Sequence, residues 1–469
     1  MTTNSQAKIQ ITRSPIDNSV YVERQLASQT EINQVIQQAN NAQTQWRKTS
    51  LNHRAKVCRA MVNALINNED EVAEQLCWMM GRPIRYCKNE LAGMAERAHV
   101  MIAEAQLALQ PISLAEKPGY TRYIKREPVG VVFVIAPWNY PYLTAINTIV
   151  PAIMAGNSVI LKHSAQTPLC AEQFARAFEK AGLAENVFQY LHLNHEATQK
   201  IVSEQAINYV AFTGSVAAGE IIEQAASRRF LGLTLELGGK DPAYVRKDAD
   251  LGYAVASCID GAFFNSGQSC CAIERIYVDE SIYDEFLEQA VALVKQYILG
   301  RSDDINTTLG PMVNAKSADF VRQQVFDAVS KGAIKHINDA DFPLNKQGSA
   351  YLSPQLLTNV DHSMSVMTDE SFGPVVGIMK VSNDEQAIAL MNDCQFGLTA
   401  AVFSQNIAQA VAIGEQLITG TFFINGCDYL DPALAWTGVK KSGKGCSLST
   451  LGYQALTRAK SFNIKENLL

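Results

Sequence analysis

From residue 129 onward, short β-branched runs alternate with stretches of helical spacing, and this alternation restricts the fold more than any other feature of the chain. The runs Val129 to Ile135, Ser158 to Lys162, Val187 to Leu191 and Tyr209 to Phe212 are interleaved with Thr144 to Ala155 and Leu169 to Ala181, and Ala217 to Ala226 follows. Strands separated by helices of this length predict βαβ units, and so a parallel sheet covered on both faces. A second series runs through strand Glu274 to Val278, helices Tyr283 to Leu299 and Ala315 to Gly332, strand Val375 to Val381, helix Asp384 to Asn392 and strand Ala400 to Ser404. Because 469 residues exceed what one core usually serves, the two series are expected to form two large α/β domains.

The chain before residue 110 reads as helical and chemically quiet. Ser28-Gln29-Thr30-Glu31 matches the capping box, and Ile32, Val35, Ile36, Ala39 and Ala42 follow at helical spacing. Val57, Cys58, Met61, Val62, Leu65 and Ile66 continue the pattern, Gly81 and Pro83 interrupt it, and Glu90 to Leu109 predicts another long helix. Gly119 to Arg126 then alternates aromatic or apolar with charged residues, as a strand of a projecting arm would, with Tyr453 to Ile464 returning as an edge strand.

Composition removes several classes of function. Lys+Arg 40 against Asp+Glu 46 gives a net charge of −6, and the pairs Arg228-Arg229 and Lys440-Lys441 are too short to track a phosphate backbone, so no nucleic-acid partner is expected. The apolar run Val129 to Ala136 stops at Pro137, far below the roughly 18 residues of a membrane span. Residues 1–8 are polar, without the apolar core of a signal peptide, and the ten cysteines form no framework, which leads to the expectation of a cytoplasmic protein with free thiols.

Chemistry is expected at Phe264-Asn265-Ser266-Gly267-Gln268-Ser269-Cys270. A thiolate becomes a strong nucleophile when N–H donors or a positive field stabilise it, and a glycine-containing loop supplies such donors. One cysteine in ten is by itself more often a small buried apolar residue, so the neighbours decide. Four further stretches join it: Pro137-Trp138-Asn139-Tyr140-Pro141, Phe212-Thr213-Gly214-Ser215 through Gly219, Leu235-Glu236-Leu237-Gly238-Gly239-Lys240, and Glu370-Ser371-Phe372-Gly373-Pro374, with Glu236 lying 34 residues before Cys270. His192 and His195 have metal-ligand spacing but no partner set, so no metal is expected; Cys271 reads as a packing residue or a transient disulfide partner.

In this order the five stretches resemble the NAD(P)-dependent aldehyde dehydrogenases, a resemblance that runs to Gly438-Val439-Lys440-Lys441-Ser442-Gly443 and so covers nearly the whole chain. It implies an α/β fold with a Rossmann-like dinucleotide-binding domain (1–110 and 129–236), an α/β catalytic domain (237–440) and a small β oligomerisation arm (111–128 and 450–469), assembled as a homodimer or homotetramer. It implies that Cys270 attacks a small-molecule aldehyde, that Asn139 and the Cys270 backbone N–H hold the oxyanion, and that Glu236 activates the water that hydrolyses the thioester. For the cofactor, NAD or NADP, it implies Gly214, Ser215 and Gly219 at a pyrophosphate-binding turn, Lys162 at the adenosine ribose, Trp138 beside the phosphates, and Glu370 with Phe372 around the nicotinamide and its ribose. The alternatives are release of the acyl group to coenzyme A, which has no use for Glu236, and a binding or structural protein that kept the fold.

One departure bears on the cofactor. NAD-preferring relatives commonly carry a glutamate three residues after the ribose-binding lysine, whereas Lys162-His163-Ser164-Ala165 has Ala165 there. Without that carboxylate the repulsion against a 2′-phosphate is gone, and Ser164 or His163 is a candidate donor to one, so acceptance of NADP is expected unless a nearby acid restores preference for NAD.

Overall fold

A computed structural model describes residues 8–466; residues 1–7, most of the polar N-terminal stretch read above, and 467–469, the end of the expected arm, lie outside the described residues. The first series forms a six-stranded sheet in the order Gly443–Lys444, Gly232–Glu236, Tyr209–Thr213, Val131–Ile135, Ser158–Lys162, Phe188–Tyr190, parallel throughout except for the short first strand. Period-two alternation divides its central strand between two cores. Val132 and Val134 pack with the early helices on one face, while Val131, Phe133 and Ile135 face Ile32, Ile36 and Ile222 on the other. Both faces are covered, so the strand ends are the open places.

The second series forms a seven-stranded sheet, Ile334–Lys335, Gln355–Thr358, Val375–Val381, Ile273–Asp279, Asp241–Val245, Thr399–Phe403, Thr421–Ile424, parallel apart from its first pair. Strand Asp241–Val245 escapes a sequence reading because Pro242 cannot donate to a ladder; the register against Ile273–Asp279 shifts at that residue. The arm is a three-stranded antiparallel sheet with Tyr120–Pro128 between Ile112–Ser113 and Thr457–Lys465.

Ser28 caps helix Gln29–Trp46 with the full capping box, as its sequence predicts. Other boundaries move. Helix Ile84–Ala108 starts six residues before Glu90, directly after Pro83, and helix Tyr283–Val294 stops short of Leu299. A hairpin, Ile9–Arg13 with Val20–Gln25, precedes the helices and is absent from the sequence reading, as is helix His195–Glu204, which Asn194 caps through its side chain. Thr12 Oγ1 donates to the Ala165 carbonyl at 2.7 Å, so the hairpin braces the loop that follows Lys162.

Candidate active site

Cys270 follows three consecutive left-handed residues, Asn265 (φ 52°), Ser266 (φ 57°) and Gly267 (φ 69°). Two of the three are not glycine, so the surroundings must hold the conformation in place. They do: Ser266 Oγ donates to the Gly310 carbonyl at 2.8 Å, Gln268 Nε2 to the Asn265 carbonyl at 3.0 Å, and the Val313 N–H to Gln268 Oε1 at 2.7 Å. A Cβ on Gly267 would lie 2.3 Å from the Gly373 carbonyl oxygen, so the turn also packs against the segment after Phe372. The Cys270 N–H makes no hydrogen bond among the described residues.

Asn139 follows strand Val131–Ile135 and donates through Nδ2 to the Gln268 carbonyl at 3.2 Å, which sets its carboxamide beside the Cys270 loop. Its own carbonyl accepts from Arg82 Nη2 at 2.6 Å and from Asn265 Nδ2 at 3.3 Å. Arg82 is paired at 2.5 Å with Glu90, whose other oxygen accepts the N–H groups of Tyr142 and Leu143 at 3.0 Å, the first turn of helix Pro141–Ala155. The region that reads as chemically quiet therefore carries the frame of the site. Arg82 lies in the break between two helices and Glu90 on the second of them; their partners are remote in sequence, and no local pattern marks them.

Glu236 ends strand Gly232–Glu236 and accepts from Thr213 Oγ1 at 3.0 Å and Ser447 Oγ at 2.5 Å. Burial raises its carboxyl above the ordinary carboxylate value, and the two hydroxyls and the Arg97 charge oppose that rise without cancelling it. Ser447 and Arg97 were not singled out from the sequence. Beside Cys270, Cys271 is buried and contacts Asp428 Oδ1 at 3.0 Å; its thiol is held well above the ordinary value by Cys270, by burial and by the carboxylate. Burial pushes Asp428 up to about 7.

Two cavities meet at Cys270 and Glu236, since both residues line each of them. The smaller, about 250 Å³, is walled by Arg97, Tyr140, Phe264, Asp428 and Trp436 among others. Arg97 Nη1 donates to the Leu143 carbonyl and Asn147 Oδ1, and the guanidinium has no ion pair among the described residues. Tyr140 has a buried hydroxyl with no partner among them. Tyr142, in contrast, is buried in the core against Phe174 and does not line the cavity.

The larger cavity, about 510 Å³, runs along the strand ends and brings together Trp138, Asn139, Lys162, Gly214, Ser215, Glu236, Cys270, Glu370 and Phe372. Three strand steps separate Glu236 from Lys162 in the sheet, about 14 Å at the usual spacing. Ser164, His195, Thr198 and Gln199 line the same cleft, and among the described residues its only carboxylates are Glu236 and Glu370. Lys162 is 8% exposed, its amine has no hydrogen-bond or ion-pair partner among the described residues, and burial lowers that amine to about 8.

Two sequence candidates do not line this cleft. Gly219 sits inside helix Val216–Ala226, where a Cβ would meet the Leu237 side chain at 2.5 Å, and Ala165 is exposed beneath the hairpin. His163 is turned away as well. Its Nδ1 accepts the Ser164 N–H at 3.0 Å, so Nε2 carries the proton that reaches the Pro141 carbonyl at 3.2 Å, and burial lowers the ring to about 3. It is no donor to a phosphate; Ser164 remains.

The aldehyde dehydrogenase family profile matches residues 2–462. The chain is 31% identical to succinate-semialdehyde dehydrogenase [NADP(+)] 1 of Mycobacterium tuberculosis over 93% of its own length and 95% of the relative's. It is 33% identical to a succinate semialdehyde dehydrogenase [NAD(P)+] of Escherichia coli, with 91% of each covered. Among solved structures it is similar to the succinic semialdehyde dehydrogenase of Streptococcus pyogenes in complex with NADP+, with a TM-score of 0.92, 27% identity, and coverage of 97% of this chain and all of the other.

Proposed function

The chain belongs to the aldehyde dehydrogenase family and oxidises an aldehyde to its carboxylic acid with NAD(P); from that premise we propose how its own residues divide the work. The observation that carries the reading is the meeting of two cavities at Cys270 and Glu236. The Cys270 thiolate attacks the carbonyl carbon, and Asn139 Nδ2 with the free Cys270 N–H holds the oxyanion that forms. Once that adduct is oxidised, the acyl group remains on Cys270 as a thioester. Glu236 then takes a proton from water, the hydroxide attacks the acyl carbon, and the Cys270 thiolate leaves.

The larger cleft fits a dinucleotide. Lys162 presents an unpartnered amine, Ser215 begins a helix whose first N–H groups suit a pyrophosphate, and a Cβ on Gly238 would lie 2.4 Å from the Glu370 carboxylate, so only glycine leaves that approach open. When bound, the dinucleotide supplies the hydride acceptor. Lys162 and Ser164 hold the adenosine ribose and a 2′-phosphate, Gly214, Ser215 and Trp138 the diphosphate, Glu370 and Phe372 the ring end. NADP is preferred, because among the described residues no carboxylate besides Glu236 and Glu370 lines the cleft to repel the extra phosphate or to accept from a 2′-hydroxyl.

The substrate is a short aldehyde carrying its own carboxylate. The smaller cavity holds few atoms, Arg97 is a desolvated cation with no ion pair among the described residues, and Tyr140 offers a hydroxyl with no partner among them. Asp428 opposes this only in part, since burial favours its neutral form. The names of the Mycobacterium and Escherichia relatives point to the same class. Subunits associate through the arm, whose edge strand Thr457–Lys465 is largely exposed, giving a dimer or tetramer by sedimentation. Ten free cysteines suit the cytoplasm. The deciding experiment follows reduced cofactor with succinate semialdehyde and with butanal, each with and without coenzyme A. The reading requires a higher kcat/KM for the acid-bearing aldehyde and no acceleration by coenzyme A.

A further inference from the structure

Glu370, Ser371 and Phe372 form a short strap at the ring end of the cleft, and Phe372 is left-handed (φ 51°), a costly conformation for an aromatic residue. What holds it lies underneath. The Glu274 carboxylate accepts the Ser371 N–H at 2.8 Å and the Phe372 N–H at 2.9 Å. Lys240 pairs with that carboxylate at 2.5 Å and donates to Ser371 Oγ at 3.1 Å, with both side chains almost wholly buried. The residue before Lys240 faces both partners of the reaction: the Gly239 N–H donates to Glu370 Oε1 at 3.1 Å, and a Cβ on Gly239 would lie 2.2 Å from the Cys270 carbonyl oxygen.

A buried ion pair usually adds little net stability over an apolar pair of the same volume, so its presence here asks for another account. We propose that Lys240 and Glu274 are positioning residues: they fix the strap, and through Glu370 and Phe372 they align the ring end of the cofactor against the Cys270 adduct. The proposal rests on the reading that Glu370 and Phe372 hold that ring end. Strand-end residues suit the role, since Glu274 lies on Ile273–Asp279 and Lys240 directly precedes Asp241–Val245, both central strands of the second sheet. The strap is thereby referenced to rigid structure rather than to a loop.

The test uses the full-length enzyme with the double variant K240M/E274Q, which removes both charges at nearly constant volume; the single K240M leaves Glu274 buried and unpaired and is expected to fold poorly. In the double variant kcat should fall about 10- to 100-fold, as displacement by an ångström costs. The primary isotope effect with the 1-deuterated aldehyde should rise, because hydride transfer becomes limiting, while binding of adenosine 2′,5′-bisphosphate and the midpoint of thermal unfolding stay at wild-type values. An unchanged kcat and isotope effect overturns the proposal, and so does a loss of kcat that tracks a loss of folded protein or of adenosine bisphosphate binding. E370Q and F372A serve as controls on the underlying reading. If they alter kcat and the double variant does not, the positioning role alone fails; if they change nothing, the assignment of the ring end fails with it.

Discussion

Arg82 Nη2 donates to the main-chain carbonyl of Asn139 at 2.6 Å across 57 residues of sequence, and the same guanidinium is paired with Glu90, whose carboxylate accepts N–H groups from the first turn of the helix that follows Asn139. Arg82 thus holds the residue proposed for the oxyanion directly and, through Glu90, the helix that begins two residues later.

Arg82→Met should leave Glu90 buried without its partner, a change that typically costs about 3–5 kcal/mol. A thermal midpoint well below that of the wild type is expected, with kcat reduced in whatever folds. Arg82→Met/Glu90→Gln should recover much of the midpoint but not the activity, because the Asn139 carbonyl still lacks its donor. Calorimetry and steady-state rates on the same samples check both.

Cys270→Ala should abolish oxidation while dinucleotide still binds, since the covalent step is lost and the cleft lining is otherwise unchanged. Cys271→Ala should be mild, because that thiol is buried and held neutral. Reversed phenotypes would assign the nucleophile to Cys271.

If Lys162 holds a 2′-phosphate as proposed, the cofactor preference should depend on pH. Burial lowers its amine to about 8, so the ammonium that attracts a 2′-phosphate is present below that pH and lost as pH rises through it. The kcat/KM for NADP should therefore decline above pH 8 more steeply than that for NAD. Lys162→Met should remove the difference between the two profiles and lower kcat/KM for NADP more than for NAD. Parallel profiles in the wild type would contradict a charge at the 2′-position.

Much of this site can be read from the sequence, because strand ends and glycine turns are local. Gly214 and Ser215 close one strand, Glu236 another, and the register of the parallel sheet brings them to one edge. What escapes reading is the support: Arg82 falls in the break between two helices, Glu90 and Arg97 look like ordinary polar positions on a helical stretch, and Ser447 reaches Glu236 across 211 residues. Ala165 shows the opposite limit. Its place in the motif is legible, but only the structure reveals that strand Ile9–Arg13 of the hairpin holds its carbonyl and that the residue does not line the cleft.

Arg97→Leu should raise KM for a carboxylate-bearing aldehyde by about tenfold or more, the loss of a charge-assisted hydrogen bond of about 1.5–3 kcal/mol. For an uncharged aldehyde of the same length KM should change little. Equal losses on both would mean that Arg97 supports the fold through Leu143 and Asn147 rather than binding substrate.

The proposed route depends most on Glu236 as the base of the second half-reaction. Its carboxyl is raised by burial, so wild-type kcat should fall, as pH is lowered, from a pH above the ordinary carboxylate range. Glu236→Gln keeps the shape and removes the base, and mixing this variant rapidly with aldehyde and NADP tests the claim directly. The account predicts a burst of reduced cofactor equal to the number of active sites, then near-arrest, with an acyl adduct on Cys270 detectable by intact mass. No burst and no adduct, with the variant folded, would contradict it.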